Sequence, residues 1–495
     1  MGRKEKIIIE EIRKEKIFID KREIGYYSTP SFICEYIKNR LLEIDNRGKS
    51  VFDPCCGKEE MLKPFENNNI EAYGIDIFKY KEKYKAFYRN EDFIEFYFSS
   101  FNKEKCVENL KYDYYVLNPP YNCHEVDYIK SNKKLLKKYF DDVGVQNMYL
   151  IFISAIIDLA KEGALIGIIT NDSFLTAKSY NKFREKILNS CTIHEITMCP
   201  KETFLKEGAD VRTSILILQK GTKFQKEVVV NNRCKDITQL KEVFLIKDKN
   251  RNKNCLEDII LKNKEDNKEF LIECPKEIKK LFNNERLGNK YRCISGISTG
   301  NDKLYLSKEK IYPYTIDFYK NPGKDKFYTK KKLYINENFL SISRGVPNFI
   351  VRNKDLLFKS GVICSSMGVE FSAAKFDRNS TFGVNTAIIC NDEESYFLLS
   401  YLNSNLVTYL VRGILNRSNM VTSGYISRIP IVDFNKEEKG KLISLGKLGY
   451  ERSKNNKSID EVLIEINKVI EKSLGLKDKN IKYINNFRRD LVKLT

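Results

Sequence analysis

The chain has 495 residues, 42% of them apolar, which is material for two or three globular domains with cores of their own. Lys and Arg outnumber Asp and Glu 87 to 67, a formal charge of +20 that suits a polyanionic partner such as DNA or RNA. No apolar run approaches the roughly 20 residues of a membrane span, and the Lys/Glu-rich residues 1–20 lack a signal-peptide core, so a cytoplasmic protein is expected.

The thirteen cysteines show no metal-ligand spacing and there are only two histidines, His124 and His194; no metal is expected. Residues 1–24 read as a charged extension. Ser28-Thr29-Pro30 then offers a cap and a first-turn proline for a helix through Cys34, Ile37, Leu41 and Leu42. From 50 to 220, short β-rich runs alternate with helical ones, as in an α/β domain on a mostly parallel, doubly wound sheet. Strands are expected at 50–52, 71–75, 112–117, 164–170, 193–198 and 214–219, with helices at 149–161 and 173–188.

The first of these strands runs into Asp53-Pro54-Cys55-Cys56-Gly57, a tight turn where doubly wound folds hold nucleotide-like ligands. Tyr73-Gly74-Ile75-Asp76 closes the next strand on an acid able to accept both hydroxyls of a ribose. Asn118-Pro119-Pro120-Tyr121 follows the third. Its prolines fix their own φ and bias the residues before them toward extended geometry, which presets the carbonyls of Asn118 and Pro119. The Asn118 side-chain oxygen and the Pro119 carbonyl can each accept one hydrogen of a planar NH2, and the Tyr121 ring offers a face for stacking. Taken alone the four residues grip any such amine: adenine, cytosine, an RNA base or a protein glutamine. The charge run 130–138 beyond them reads as a solvated helix face that phosphates could also meet.

Residues 246–290 are read as a charged linker with peripheral elements, and a second, mixed α+β domain is expected over 291–495. It has a glycine-punctuated turn at 294–302, strands near Leu304, Phe349, Val362 and Ala387, and helices at 396–415 and 459–474.

Across 25–220 the sequence resembles the gamma class of DNA adenine-N6 methyltransferases, the TaqI-like group. The resemblance implies a Rossmann-like class I fold dependent on S-adenosyl-L-methionine (SAM) over 25–245. Tyr27-Ser28-Thr29-Pro30 looks like the family's segment at the methionine end of SAM, which implicates Tyr27, Thr29 and Pro30. Asp53, Pro54, Cys55 and Gly57 resemble its glycine loop, Asp76 with Ile77 its ribose ligand, and Asp92 with Phe93 its adenine contact. Asn118, Pro119, Pro120 and Tyr121 match the catalytic motif, with Asn118 also beside the cofactor, and Phe204 resembles the aromatic that packs on the flipped target base. One departure stands out: the loop's usual second glycine is Glu59, which puts a Cβ and a charge near the cofactor. The expectation is a widened loop with Glu59 facing the cationic end of SAM; the alternative is a DNA-binding protein whose methylation site has decayed.

The second domain resembles, more loosely, methyltransferase target-recognition regions and type I specificity subunits. That likeness rests on Gly296-Ile297-Ser298-Thr299-Gly300-Asn301, the segment 404–415 and Ile426-Ser427-Arg428-Ile429-Pro430. Residue types that read base edges put Arg344, Asn348, Arg417, Ser418 and Asn419 forward. The combined expectation is a monomeric enzyme that moves a methyl group from SAM to the N6 amine of a flipped adenine in double-stranded DNA. It has no nuclease of its own, and a cognate restriction endonuclease is a candidate partner.

Overall fold

A computed structural model describes residues 6–10, 16–20, 26–66, 68–100, 110–121, 127–141, 143, 147–209, 211–222, 227–264, 266–272, 274–416 and 420–490. Two compact units emerge, 1–262 with 267–273 and 263–266 with 274–495.

Apart from an antiparallel pair, Lys6–Glu10 with Lys16–Asp20, the first unit is built on one nine-stranded sheet: β1 (Ser50–Asp53), β2 (Glu71–Asp76), β3 (Phe87–Asn90), β4 (Tyr114–Leu117), β5 (Leu165–Asn171), β6 (Cys191–Met198), β7 (Thr213–Lys220), β8 (Glu227–Asn231) and β9 (Lys253–Cys255). Their order is β9-β8-β6-β7-β5-β4-β1-β2-β3. The run from β5 to β3 is parallel throughout, while β7 lies antiparallel to both β5 and β6. Both faces are covered, so alternate residues of one strand enter different cores: Tyr114 and Val116 join Ile33, Ile37 and Leu41, whereas Tyr115 and Leu117 join Ile151, Phe152 and Ile156. The first set comes from α1 (Ser31–Ile44), the second from α4 (Met148–Leu159). Gly167 marks where α1 crosses the sheet, since a Cβ there would lie 2.4 Å from Ile37 Cγ2. Further helices add to the layers, among them α2 (Phe93–Ser99), α3 (Asp127–Phe140), α5 (Asn181–Ser190) and the helix Ile237–Phe244.

All six expected strands are present, with ends shifted by up to two residues, while β3, β8 and β9 were not anticipated. β9 falls inside the segment read as a linker and pairs with β8. Ser28 and Thr29 do not cap α1: Pro30 sits at the cap position, its carbonyl accepting from Ile33 N and Cys34 N, and this leaves the Thr29 hydroxyl for another partner. The helix expected over 173–188 is broken into two 3-10 turns (Asp172–Leu175, Lys178–Tyr180) before α5. The buried Arg184 takes up carbonyls that these turns release, those of Phe174 and Ala177.

The second unit is mixed α+β. One sheet runs Arg292–Ile294, Ala387–Ile389, Gly361–Cys364, Ala373–Phe376; another runs Leu306–Ser307, Lys332–Asn336, Tyr314–Tyr319, Thr381–Phe382. Leu304, expected on a strand, lies in the helical turn Asp302–Tyr305. The helix expected over 396–415 is three pieces, α6 (Asp392–Leu402), α7 (Asn405–Tyr409) and a π turn (Leu410–Leu415), because Ser404 starts a new helix by accepting from Val407 N. α8 (Lys436–Lys454) was not anticipated, and α9 (Asp460–Ser473) was. Among the described residues no helix is long and apolar enough to cross a membrane, and no group of three or more His, Cys, Asp or Glu could hold a metal ion.

Candidate active site

The chain runs outward from β1 through β2 to β3 on one side and from β4 to β5 on the other, so a crevice opens at the carboxyl ends of β1 and β4. Asp53 ends β1, Asn118 follows β4 and Asp76 ends β2, and all three line one pocket. Tyr27, Thr29, Pro54, Cys55, Gly57, Ile77, Asp92, Phe93 and Pro120 share that lining.

The loop after β1 turns because Asp53 Oδ1 accepts from Cys55 N at 2.9 Å and Gly57 adopts φ +51°. Gly57 N donates to Asp76 Oδ2 at 2.9 Å, and Phe78 N donates to Oδ1 at 3.0 Å. The Asp76 carboxylate therefore keeps acceptor capacity for an outside donor. Burial drives its carboxyl up to about 6 against these two amides, with Glu60 adding repulsion; burial pushes Asp53 well above the carboxylate range. Asp92 caps α2 through Ile94 N at 2.8 Å, and its other oxygen accepts from Tyr128 Oη at 2.7 Å.

Asn118 is held in one orientation. Its Nδ2 donates to the Tyr27 carbonyl at 2.9 Å and to Thr29 Oγ1 at 3.0 Å. A carbonyl can only accept, so the group facing it must be the NH2, and Oδ1 is fixed on the opposite side. Thr29 serves this purpose in place of helix capping. Oδ1 accepts from Tyr121 Oη at 2.7 Å, and the Tyr121 ring packs edge-on to Tyr149 with centroids 6.3 Å apart. Burial raises the Tyr121 hydroxyl far above its ordinary range, so it is a donor at any ordinary pH.

Five expected residues sit elsewhere. Pro119, Tyr121 and Pro30 are outside the pocket lining, the last because it is spent at the start of α1. Phe204 is fully buried in the core with Val116, Ile169 and Ile215, because its 3-10 turn (Lys201–Glu207) packs it beneath the sheet; in this conformation it cannot stack on a base. Glu59 does not face the pocket. Its carboxylate pairs with Lys81 and accepts from Lys85 N at 2.9 Å and Ala86 N at 2.8 Å, so the charge is turned away from any ligand.

The next residue takes the inward place. Glu60 lines the pocket and accepts from Tyr26 Oη at 2.6 Å and Ser28 Oγ at 3.0 Å. Tyr26 in turn stacks on Tyr80 at 4.7 Å. Tyr26, Glu60, Tyr80, Tyr128, Met148 and Phe152 escaped sequence reading because none has a fixed spacing from a motif; only the run of acids and tyrosines around 76–92 hinted at them.

In the second unit Arg344 and Asn348 are both exposed, on the helix Phe339–Gly345 and in the loop after it. The glycine turn packs on that loop: a Cβ on Gly300, at φ +67°, would lie 2.8 Å from Asn348 O. Arg417, Ser418 and Asn419 lie outside the described residues.

The sheet order and the placing of the crevice are those of the Rossmann-like class I SAM-dependent methyltransferase fold. Residues 18–280, more than half of the chain, match the family described as N-6 DNA Methylase, and the chain belongs to that family. It is 29% identical over 228 residues to the Type II methyltransferase M.BanIII of Aneurinibacillus aneurinilyticus, covering 40% of this chain and 39% of that protein. It is 24% identical over 260 residues to the Type II methyltransferase M.BsuBI of Bacillus subtilis, covering 45% and 50%. The chain thus spans half or less of the length of the curated relatives it matches. Among solved structures it resembles a DrdV–DNA complex (TM-score 0.54, 12% identity, 88% of this chain and 58% of that one). It also resembles the ATP-dependent Type ISP restriction-modification enzyme LlaBIII bound to DNA (TM-score 0.52, 12% identity, 86% and 39%). At that identity the likeness is one of fold.

Proposed function

We propose that the chain is a gamma-class DNA adenine-N6 methyltransferase that takes its methyl group from SAM, acts on a base flipped out of duplex DNA, and works as a cytoplasmic monomer. The observation that carries this reading is the clamped Asn118 amide, whose oxygen is fixed beside a pocket fit for an adenosine.

The charge of the pocket supports SAM over other adenosine ligands. Asp53, Glu60, Asp76 and Asp92 line it, and among the described lining residues there is no Lys, Arg or His. Such a wall repels the phosphates of a dinucleotide or of ATP and attracts a ligand bearing a sulfonium and an ammonium. Asp76 would hold the ribose, Asp92 and Phe93 the adenine, and the stretch 26–29 the amino-acid end. When bound, SAM supplies an electrophilic methyl group.

The residues then act on the amine. Asn118 Oδ1 and the Pro119 carbonyl accept its two hydrogens, which favours a pyramidal nitrogen with its lone pair directed out of the ring. An amide oxygen has two lone pairs, so the Tyr121 hydroxyl and the amine can share Oδ1. The methylated nitrogen is cationic and loses its proton to water, so no strong base is needed. With Glu59 turned away from the pocket, the ground for a decayed site falls away.

Expression in methylation-free cells followed by long-read mapping of modified bases tests the reading; N6-methyladenine in one sequence context is expected, and its absence refutes it. Asn118→Ala should abolish turnover. Calorimetry should find its SAM affinity reduced by no more than about thirtyfold, the worth of two neutral hydrogen bonds to the 26–29 stretch at about 1 kcal/mol each. A folded variant that no longer binds SAM would mean the residue's role is wrongly assigned.

A further inference from the structure

Five lysines of α3, Lys130, Lys133, Lys134, Lys137 and Lys138, fall at i, i+3, i+4, i+7 and i+8, which places them on one face of the helix. All five are exposed. Ile129, Leu136 and Phe140 are buried from the same helix, so the lysine face is turned outward by packing and not by chance. Lys130 is paired with Asp127 at 3.4 Å; among the described residues no carboxylate pairs with Lys133, Lys134, Lys137 or Lys138. A solvated surface helix ordinarily alternates its charges to gain i,i+4 pairs, whereas this face carries one sign over roughly 12 Å, from eight residues at 1.5 Å rise.

The helix is also pinned to the active site. It begins six residues after Tyr121, and Tyr128 on its first turn donates to Asp92 Oδ2, a carboxylate of the pocket. The lysines are thereby held in a fixed relation to the place where a base would be presented.

From these placements we propose that the lysine face of α3 grips the phosphate backbone of the duplex beside the flipped base. This rests on duplex DNA being the substrate. A span of about 12 Å covers three to four base-pair steps of 3.4 Å, enough for each of the four ammoniums without a carboxylate partner among the described residues to meet a phosphate. Backbone contacts of this kind position the strand and read no sequence.

The variant Lys133→Gln/Lys134→Gln/Lys137→Gln/Lys138→Gln tests this in the full chain. Glutamine matches lysine in helix propensity, so circular dichroism and SAM calorimetry should be unchanged. The probe is an unmodified 30-base-pair duplex of random sequence, titrated by fluorescence anisotropy between 50 and 300 mM NaCl. Each lost phosphate contact lowers the slope of log K against log salt by about 0.9, so a fall of about 3 to 4 is expected, with affinity at 100 mM reduced at least tenfold. On unmethylated plasmid the KM for DNA should rise while kcat at saturation stays within about twofold, and the corresponding Lys→Arg variant should behave as wild type. A variant with the wild-type slope and affinity overturns the proposal while leaving the methyltransferase reading intact. A wild-type protein that binds no duplex overturns the assignment of DNA as substrate, and this proposal with it.

Discussion

Glu59 occupies a backbone position at φ +70°, the left-handed region where a glycine is at ease and a glutamate costs about 1 kcal/mol. What offsets that cost is a side chain folded back on the segment 81–86: an ion pair with Lys81 and bonds from Lys85 N and Ala86 N. Glu59→Ala would leave both amides unpaired in a half-buried place, at about 1 kcal/mol or more each, and keep the strained φ. Its melting temperature should fall by about 5–10 °C, and Glu59→Gly should fall less because the strain is relieved. Scanning calorimetry ranks the three proteins; an alanine variant as stable as wild type removes the brace.

Asp76 makes a residue-scale prediction of opposite sign for folding and for binding. Its folded pKa of about 6 lies above the ordinary carboxylate value, so the folded state holds the proton more tightly than the unfolded chain. Its contribution to stability is full below pH about 4 and is lost as pH rises toward 6. A ribose that needs the ionised carboxylate meets the reverse: affinity is full above pH 6 and drops by up to tenfold per unit below it. Calorimetry with S-adenosylhomocysteine from pH 5 to 8 should show this fall in wild type, while Asp76→Asn should be weak and flat. A wild-type affinity constant across that range would exclude Asp76 as the ribose acceptor.

Among elements, α1 matters most because the stretch that clamps Asn118 leads directly into it. It is tied to β6 by Arg40 Nε on Glu195 Oε2 at 2.7 Å, both groups buried, with Tyr36 and Thr197 also donating to Glu195. Arg251 Nη1 lies 4.0 Å from Glu195 Oε2, so removing Arg40 leaves a buried charge that is only partly compensated; Arg40→Leu should destabilise by about 3 kcal/mol, and Arg40→Leu/Glu195→Leu should recover part of that loss. A double-mutant cycle in urea measures it, and simple additivity would deny the coupling. α1 was legible in sequence because its apolar spacing is regular; its cap was misread because Thr29 works for the site. Strands β4, β5 and β7 were legible as apolar runs buried on both faces. β3, largely exposed with pattern FYRN, and β9, three polar or small residues at the sheet edge, carry no such signal. α8 hid behind Gly440, Gly446 and Gly449, yet Gly446 serves a close helix crossing, since a Cβ there would lie 2.0 Å from Tyr396 O.

For the whole molecule, Asp53, Asp76, Asp92 and Asn118 were readable because motif order along the chain maps onto strand order at one sheet edge. Phe204 and Glu59 were misjudged because a sequence position does not say which way a side chain turns, and Glu60 went unread for the same reason. Every residue lining the pocket belongs to the first unit, and each unit has its own buried core. Ligand binding should therefore slow amide exchange in one unit and not in the other. With S-adenosylhomocysteine at about 100 times its Kd, the added stabilisation is about 2.7 kcal/mol, a protection gain near a hundredfold for amides that exchange by opening of the site. Gly57 N and Phe78 N, which hold Asp76, and Ile94 N, which holds Asp92, should be among the most slowed. Amides of the sheet containing Gly361–Cys364 should be unaffected. Hydrogen exchange read by mass spectrometry resolves these peptides, and equal protection in both units would show that the ligand site reaches beyond the first.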